Sequence, residues 1–304
     1  MNPPSGQQFE ISCGDQHVSV VEVGGGIRAY TAGEKDVLQP YPVDAMCDGA
    51  HGAPLIPWPN RLADGRYSFE GEDYQVGLSE PEKHNAIHGF LRWRPWQAVE
   101  QSEDRITMAA TLFPLQGYPF TLDVRVDYRL DASGLTVGTT ATNAGDRPCP
   151  YGCGQHPYLS PGSGLVDECT LHLEAGTRIV TDPERELPTG TESVEGTPYD
   201  FRSPRQLGDL QIDYAFTDLK RDGEGRAWVR LGRPDGTAAE LWVDESFPIV
   251  ELYTADTLTP DRRRRGLGTE PMSCPPNAFQ TGKHVIRLEP GAATTTTWGV
   301  RLSG

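Results

Sequence analysis

An all-β fold follows from three features of the sequence. Apolar residues recur with a period of two, 34 glycines and 26 prolines supply turns along the whole chain, and almost nothing keeps a helical period for three turns. Phe9, Ile11 and Cys13 alternate, Gly14-Asp15 turns the chain, Val18 and Val20 alternate again, and Gly24-Gly25-Gly26 interrupts before Ile27 and Ala29. Consecutive antiparallel strands are predicted there. Residues 66–76 form a compact hairpin pattern around Gly71. The clearest case runs through Leu122, Val124, Val126, Tyr128 and Leu130 into Asp131-Ala132-Ser133-Gly134, and returns through Leu135, Val137, Thr139 and Ala141. Each of these strands has one apolar and one polar face, as in a sheet half covered by a neighbour. The second half repeats the habit: Trp228 to Leu231, a turn at Pro234-Asp235-Gly236, then Ala239, Leu241 and Val243. A last strand pair is expected from Val285 to Leu288 and from Trp298 to Leu302, joined through Pro290-Gly291.

The 304 residues are within the reach of one large all-β domain. No internal repeat and no Gly/Ser or Pro linker divides them, so residues 1–304 are expected to form a single domain. With 27 Lys and Arg against 43 Asp and Glu, the formal charge is −16. Such a surface repels phosphate backbones and anionic membranes, which argues against nucleic-acid and membrane partners. No apolar run reaches the ~18 residues of a membrane span, and Met1-Asn2-Pro3-Pro4-Ser5 lacks the features of a secretory signal. A cytoplasmic protein, monomer or homodimer, is the expectation. The six cysteines are too sparse for a disulfide scaffold and form no C-x-x-C pair. Cys149 and Cys153 beside His156 are read as buried thiols rather than zinc ligands. His84 and His88 have an i, i+4 spacing but lack the adjacent Glu of a helical zinc motif.

The chemistry concentrates in five short stretches. Asn60 and Arg61 close Pro57-Trp58-Pro59-Asn60-Arg61, His88 precedes Gly89, His156 lies in Gly154-Gln155-His156-Pro157-Tyr158, Asp213 follows Ile212, and Glu270 precedes Pro271-Met272. All sit among Gly, Pro and aromatic residues next to strand patterns, where a rigid sheet presents side chains to a small ligand. A carboxylate is ionised at neutral pH and accepts a proton, while an imidazole with a reference pKa of about 6.5 can donate one. His156 and Glu270 can therefore take one proton from a molecule and give it another. Arg61, a planar fork of donors, and Asn60, with donor and acceptor, suit vicinal sugar hydroxyls, and Asp213 can accept from two of them. The competing role for Arg61 is a structural ion pair. Phe90, Trp93 and Trp96 offer aromatic faces for a pyranose, although Trp96 reads better as core. The run Arg262-Arg263-Arg264-Arg265 is taken as a solvated loop, with a lid over the cleft as the alternative.

At these residues the sequence resembles the aldose 1-epimerase (mutarotase) family over nearly its full length. The ordered set of Asn60-Arg61, His88-Gly89, Gly152-Cys153-Gly154-Gln155-His156-Pro157-Tyr158, Asp213 and Glu270-Pro271-Met272 with Pro275-Pro276-Asn277-Ala278-Phe279 carries the likeness. The resemblance implies a large antiparallel β-sandwich of the galactose mutarotase-like supersandwich type, an open sugar cleft, and no metal or organic cofactor. It implies Glu270 as general base, His156 as general acid, and His88, Arg61 and Asp213 as sugar-binding residues. The acid and base are expected to flank the hexose ring from opposite sides. Pro157-Tyr158 and Pro271-Met272 depart from the galactose-specific branch, which puts galactose in doubt as the preferred sugar. Arg92 matches an arginine of a branch acting on hexose 6-phosphates. The expected function is interconversion of the α and β anomers of a free aldohexose. The alternatives are a hexose-6-phosphate mutarotase, a non-catalytic sugar-binding protein of the same fold, and a glycosidase using Asp213 and Glu270.

Overall fold

The strands Leu122–Asp131 and Gly134–Asn143 pair without interruption from Leu122 opposite Asn143 to Asp131 opposite Gly134. Their turn is closed by the Asp131 carboxylate, which accepts from the Ser133 amide and hydroxyl. Val124, Val126, Tyr128 and Leu130 are buried while Asp123, Arg125 and Arg129 face water, as the period of two requires. This hairpin belongs to a nine-stranded antiparallel sheet in a computed structural model that describes residues 3–304.

A twelve-stranded sheet lies against it. Its first four strands are Gln8–Cys13, Gln16–Val21, Ile27–Ala32 and Lys35–Leu38, the consecutive antiparallel set expected from the alternation. Beside them run Tyr158–Leu159, Leu267–Met272, Ile249–Tyr253 and Asp213–Leu219. The chain is therefore an all-β sandwich of two large antiparallel sheets. One apolar cluster fills the space between them and takes residues from both ends of the chain, Ile11 to Val300, with Trp96, Tyr128 and Trp298 fully enclosed. Among the described residues the only α-helix is Ala278–Thr281, and no helix is long and apolar enough to cross a membrane.

The expected last pair is corrected. Ile286–Leu288 pairs with Cys149–Tyr151, whereas Ala293–Ser303 lies between Gly134–Asn143 and Ala238–Val243 in the nine-stranded sheet. The turn at Pro290-Gly291 separates two strands that never meet. Local alternation identifies strands but not their partners, and here long-range pairing prevailed. The arginine run is corrected in part: Arg263 and Arg265 are exposed, as a solvated loop requires, but the other two are not. Arg264 is buried, bonded to Asp167, Asp256 and the Gly208 carbonyl, and Arg262 pairs with Asp48, so this segment is pinned to the body of the protein.

The sheets are also tied by a polar network. The Gln155 amide donates to the Gly52 carbonyl and the Tyr128 hydroxyl, both at 3.2 Å, and accepts from the Trp298 indole at 3.2 Å. Tyr128 in turn donates to the Gly25 carbonyl at 2.7 Å. Every member is buried, so removing one leaves its partners unsatisfied at about 1–3 kcal/mol each. Gln155→Leu should lower the unfolding free energy by about 2–4 kcal/mol, read from the urea midpoint. An unchanged midpoint would show that the network holds nothing together.

Candidate active site

Glu270 is the fourth residue of the Leu267–Met272 strand rather than a loop residue. Tyr158 pairs opposite Gly268, and the Thr269 amide donates to the Pro157 carbonyl at 2.9 Å. His156 is held from its other side, its amide donating to Ala53 and its carbonyl accepting from Gly52. These backbone bonds bring His156 Nε2 to 3.1 Å from Glu270 Oε1, with both side chains almost wholly buried. Acid and base candidates therefore stand side by side, not on opposite faces of the cleft.

The His156 ring stacks on Tyr158 at 4.9 Å, and Tyr158 stacks on His51 at 4.4 Å. The Tyr158 hydroxyl donates to the Gly49 carbonyl, and His51 is anchored through Nε2 to the Gln39 carbonyl at 2.5 Å and through Nδ1 to Arg262 at 2.9 Å. Neither His51 nor its role carries a local sequence signal, because its partners come from distant segments.

His88 and Asn60 both adopt left-handed backbone, at φ 62° and 56°. The Asn60 amide donates to His88 Nδ1 at 3.1 Å, so the neutral ring carries its proton on Nε2. Gly89 is required beside it, at φ 63° and with a position where a Cβ would lie 2.0 Å from the Ile56 carbonyl oxygen. His88 and His156 meet edge to face at 5.5 Å.

Arg61 proves to be both a cleft residue and an ion-pair residue. It bonds Glu80 with Nε to Oε2 at 3.0 Å, contacts Glu186, and sits 3.9 Å from Asp213. Lys83 joins Glu186 at 2.5 Å and Glu80 at 3.6 Å. Glu80, Lys83 and Glu186 were not singled out from the sequence, since they lie on two separate loops whose meeting has no local signature.

Asn60, Arg61, His88, His156, Asp213 and Glu270 all line one cleft of about 500 Å³. Its aromatic walls are Tyr158 and Tyr253, which corrects the expectation for the Phe90 to Trp96 segment. Trp96 is core, Phe90 packs against the core, and Trp93 is 48% exposed under the Arg92 guanidinium. Arg92 lines the same cleft at 9% exposure, and its guanidinium makes no hydrogen bond or ion pair with any described residue. His88, His156 and Glu270 place donor atoms within 4.8 Å of one another, the group among the described residues close enough to ligate an ion. An ion shared by all three would have to part the existing bond between His156 and Glu270.

Burial governs the protonation states. It pushes His156 down to about 3 and, reinforced by the Asp213 charge, lifts Glu270 well above the usual carboxylate range. Both shifts oppose charge separation within the pair. Burial also lifts Asp213 to about 6, with Glu186 adding to the shift and Arg61 opposing it.

The sequence model of the family described as aldose 1-epimerase matches residues 7–301. The chain belongs to the aldose 1-epimerase family. An uncharacterized protein of Escherichia coli K12, YihR, is 35% identical over 289 residues, covering 94% of this chain and 90% of its own length. The E. coli aldose 1-epimerase is 31% identical, covering 72% of this chain and 66% of that enzyme. Human galactose mutarotase is 30% identical over 66% of this chain and 60% of its own length. A GalM/aldose epimerase homologue from Caenorhabditis elegans superposes with a TM-score of 0.87 over 98% of both chains at 19% identity, which shows the shared epimerase fold.

Behind Tyr158, His51 gives a measurable handle on burial. Its pKa is pushed down to about 4 by burial, so the folded protein binds its proton less tightly than the unfolded chain does near 6.5. The associated stability is complete above about pH 6.5 and is lost as pH falls toward about 4, at up to about 1.4 kcal/mol per pH unit. Urea unfolding across that window should show a steeper loss in the native protein than in His51→Gln. Parallel curves would mean that His51 titrates normally in the fold.

Proposed function

We propose that this protein is an aldose 1-epimerase that interconverts the α and β anomers of an aldohexose by general acid and base catalysis. The observation that supports it is the 3.1 Å contact between His156 and Glu270 in the cleft wall. The C1 hydroxyl and the ring oxygen of a hemiacetal are bonded to the same carbon, so the groups that serve them must be neighbours. Glu270 as carboxylate takes the proton of the C1 hydroxyl while His156 as imidazolium protonates the ring oxygen, and the C1–O5 bond breaks to the open aldehyde. Rotation about C1–C2 presents the other face of the carbonyl, and closure returns both protons.

The proton count of the pair is the same before and after. Ring opening converts a charge-separated pair into a neutral one, the direction that burial favours, while the reactivity of the aldehyde drives closure. His88, with its proton on Nε2, supplies a donor for a sugar hydroxyl. Arg61 and Asp213 supply a donor and an acceptor, and Asn60 contributes by fixing His88. Within the cleft the group in contact with Glu270 is an imidazole rather than a second carboxylic acid, which favours this reaction over glycoside hydrolysis.

A second reading of the substrate is favoured by Arg92. Arg92 is 9% exposed and its guanidinium has no anionic partner among the described residues, an arrangement that an oxyanion on the sugar, remote from C1, would complete. A hexose 6-phosphate is one such sugar, and a carboxylate or sulfonate would serve the same group.

NMR of anomeric equilibration tests both readings. Glu270→Gln should lose about 10³-fold or more in rate while still binding sugar, and full activity in that variant would end the assignment of the base. Neutral glucose and galactose should be compared with hexoses carrying a phosphate, carboxylate or sulfonate at C6. If an anionic sugar is preferred, Arg92→Gln should raise its KM about 10- to 100-fold and leave neutral hexoses nearly unaffected. Equal loss for both kinds of sugar would remove Arg92 from substrate recognition.

A further inference from the structure

Behind the cleft lies a third carboxyl that the mechanism does not use. Glu251 is in the Ile249–Tyr253 strand, directly opposite Glu270 on one neighbouring strand and opposite Ala215 on the other. Side chains at opposed positions of antiparallel strands project to the same face with Cβ atoms about 4.5–5.5 Å apart. Glu251 therefore stands beside Glu270, and Asp213, two residues from Ala215, is its diagonal neighbour within hydrogen-bond reach. Glu251 is only 3% exposed and is not among the residues lining the cleft. No cation pairs with it among the described residues, and its Oε2 has no hydrogen-bond partner.

The charges facing it decide its state. Glu270 lies on one side with His156 beyond it, Asp213 on the other, and the positive group in range is Arg61, already shared among Glu80, Glu186 and Asp213. Two buried carboxylates, Glu251 and Glu270, with the partly exposed Asp213 beside them and one shared guanidinium to serve all three, cannot all be ionised. We infer that Glu251 is a positioning residue that remains a protonated carboxylic acid in the working enzyme, donating to Asp213 and leaving Glu270 as the ionised carboxylate beside His156. Its burial, reinforced by Asp213 and Glu270, lifts its carboxyl well above the usual range, in keeping with this geometry. The inference rests on the epimerase reading for its catalytic consequence but not for its protonation state.

Two measurements test it. Infrared difference spectra at pH 8 should contain the carbonyl stretch of a buried protonated carboxylic acid that disappears in Glu251→Gln and persists in Glu270→Gln. In turnover, Glu251→Leu, which keeps bulk but lacks a donor, should lose at least about tenfold in kcat/KM, mainly through KM, because Asp213 is no longer held. Glu251→Gln, a neutral donor of the same shape, should restore the rate to within about threefold with the native pH profile. The inference is overturned if Glu251→Gln leaves the infrared band in place. It is equally overturned if that variant falls as far as Glu270→Gln, or if the acid limb of its profile moves by about a full pH unit, as removal of an ionised neighbour would cause. A native protein that fails to accelerate anomer exchange would sink the epimerase reading, while the infrared band would still decide the state of Glu251.

Discussion

The pairing of Tyr158–Leu159 with Leu267–Met272 is the constraint on which the site depends. Tyr158 opposite Gly268, together with the Thr269 amide on the Pro157 carbonyl, sets His156 and Glu270 at contact distance although they come from remote parts of the chain. Because the contact is set by main-chain bonds in the middle of a twelve-stranded sheet, it does not rely on loop ordering. A shift of one residue in that register would turn Glu270 to the opposite face and abolish the pair. The same strand then presents Glu270 to Glu251, so one register fixes both the catalytic contact and its carboxyl neighbour.

Around this pair the protein separates rigidity from solvation. Beneath His156, the Gln155 network and the Tyr158–His51 stack use every polar group they bury, which holds the imidazole in place without adding charge. Elsewhere in the cleft lining, Arg61, Lys83, Glu80 and Glu186 form a cluster in which cations and anions alternate. Such a cluster orders long side chains collectively and leaves Asp213 facing the cleft at the edge of the Arg61 field. Arg92 is the exception, a buried cation with no anionic partner among the described residues, and exceptions of that kind are where recognition of a ligand is concentrated.

Much of the fold was legible because strands of a half-covered sheet record burial in alternate residues. Leu122 to Leu130, Phe9 to Cys13 and Trp228 to Val243 all occupy the strands their alternation predicts. The segment from Val285 to Leu302 was legible as strand but not as to partner, since alternation carries no information about which strand lies alongside. Of the site, Asn60, Arg61, His88, His156, Asp213 and Glu270 were all brought to one cleft. The aromatic walls were not foreseen: Phe90 to Trp96 looked like a platform by composition, yet Tyr158 and Tyr253 line the cleft, because strand direction decides which face a ring meets.

By itself the sequence determined the class of fold, the family, and the residue types available for proton transfer, since period, turn chemistry and an ordered set of motifs are local properties. Tertiary structure alone decided that His156 and Glu270 are neighbours, that Arg61 is shared among three carboxylates while Arg92 has none among the described residues, and that Glu251 is a buried companion of the base. These depend on which distant strands pair and in what register, and on how much water each charged group loses when they do, neither of which is written in any contiguous stretch of the chain.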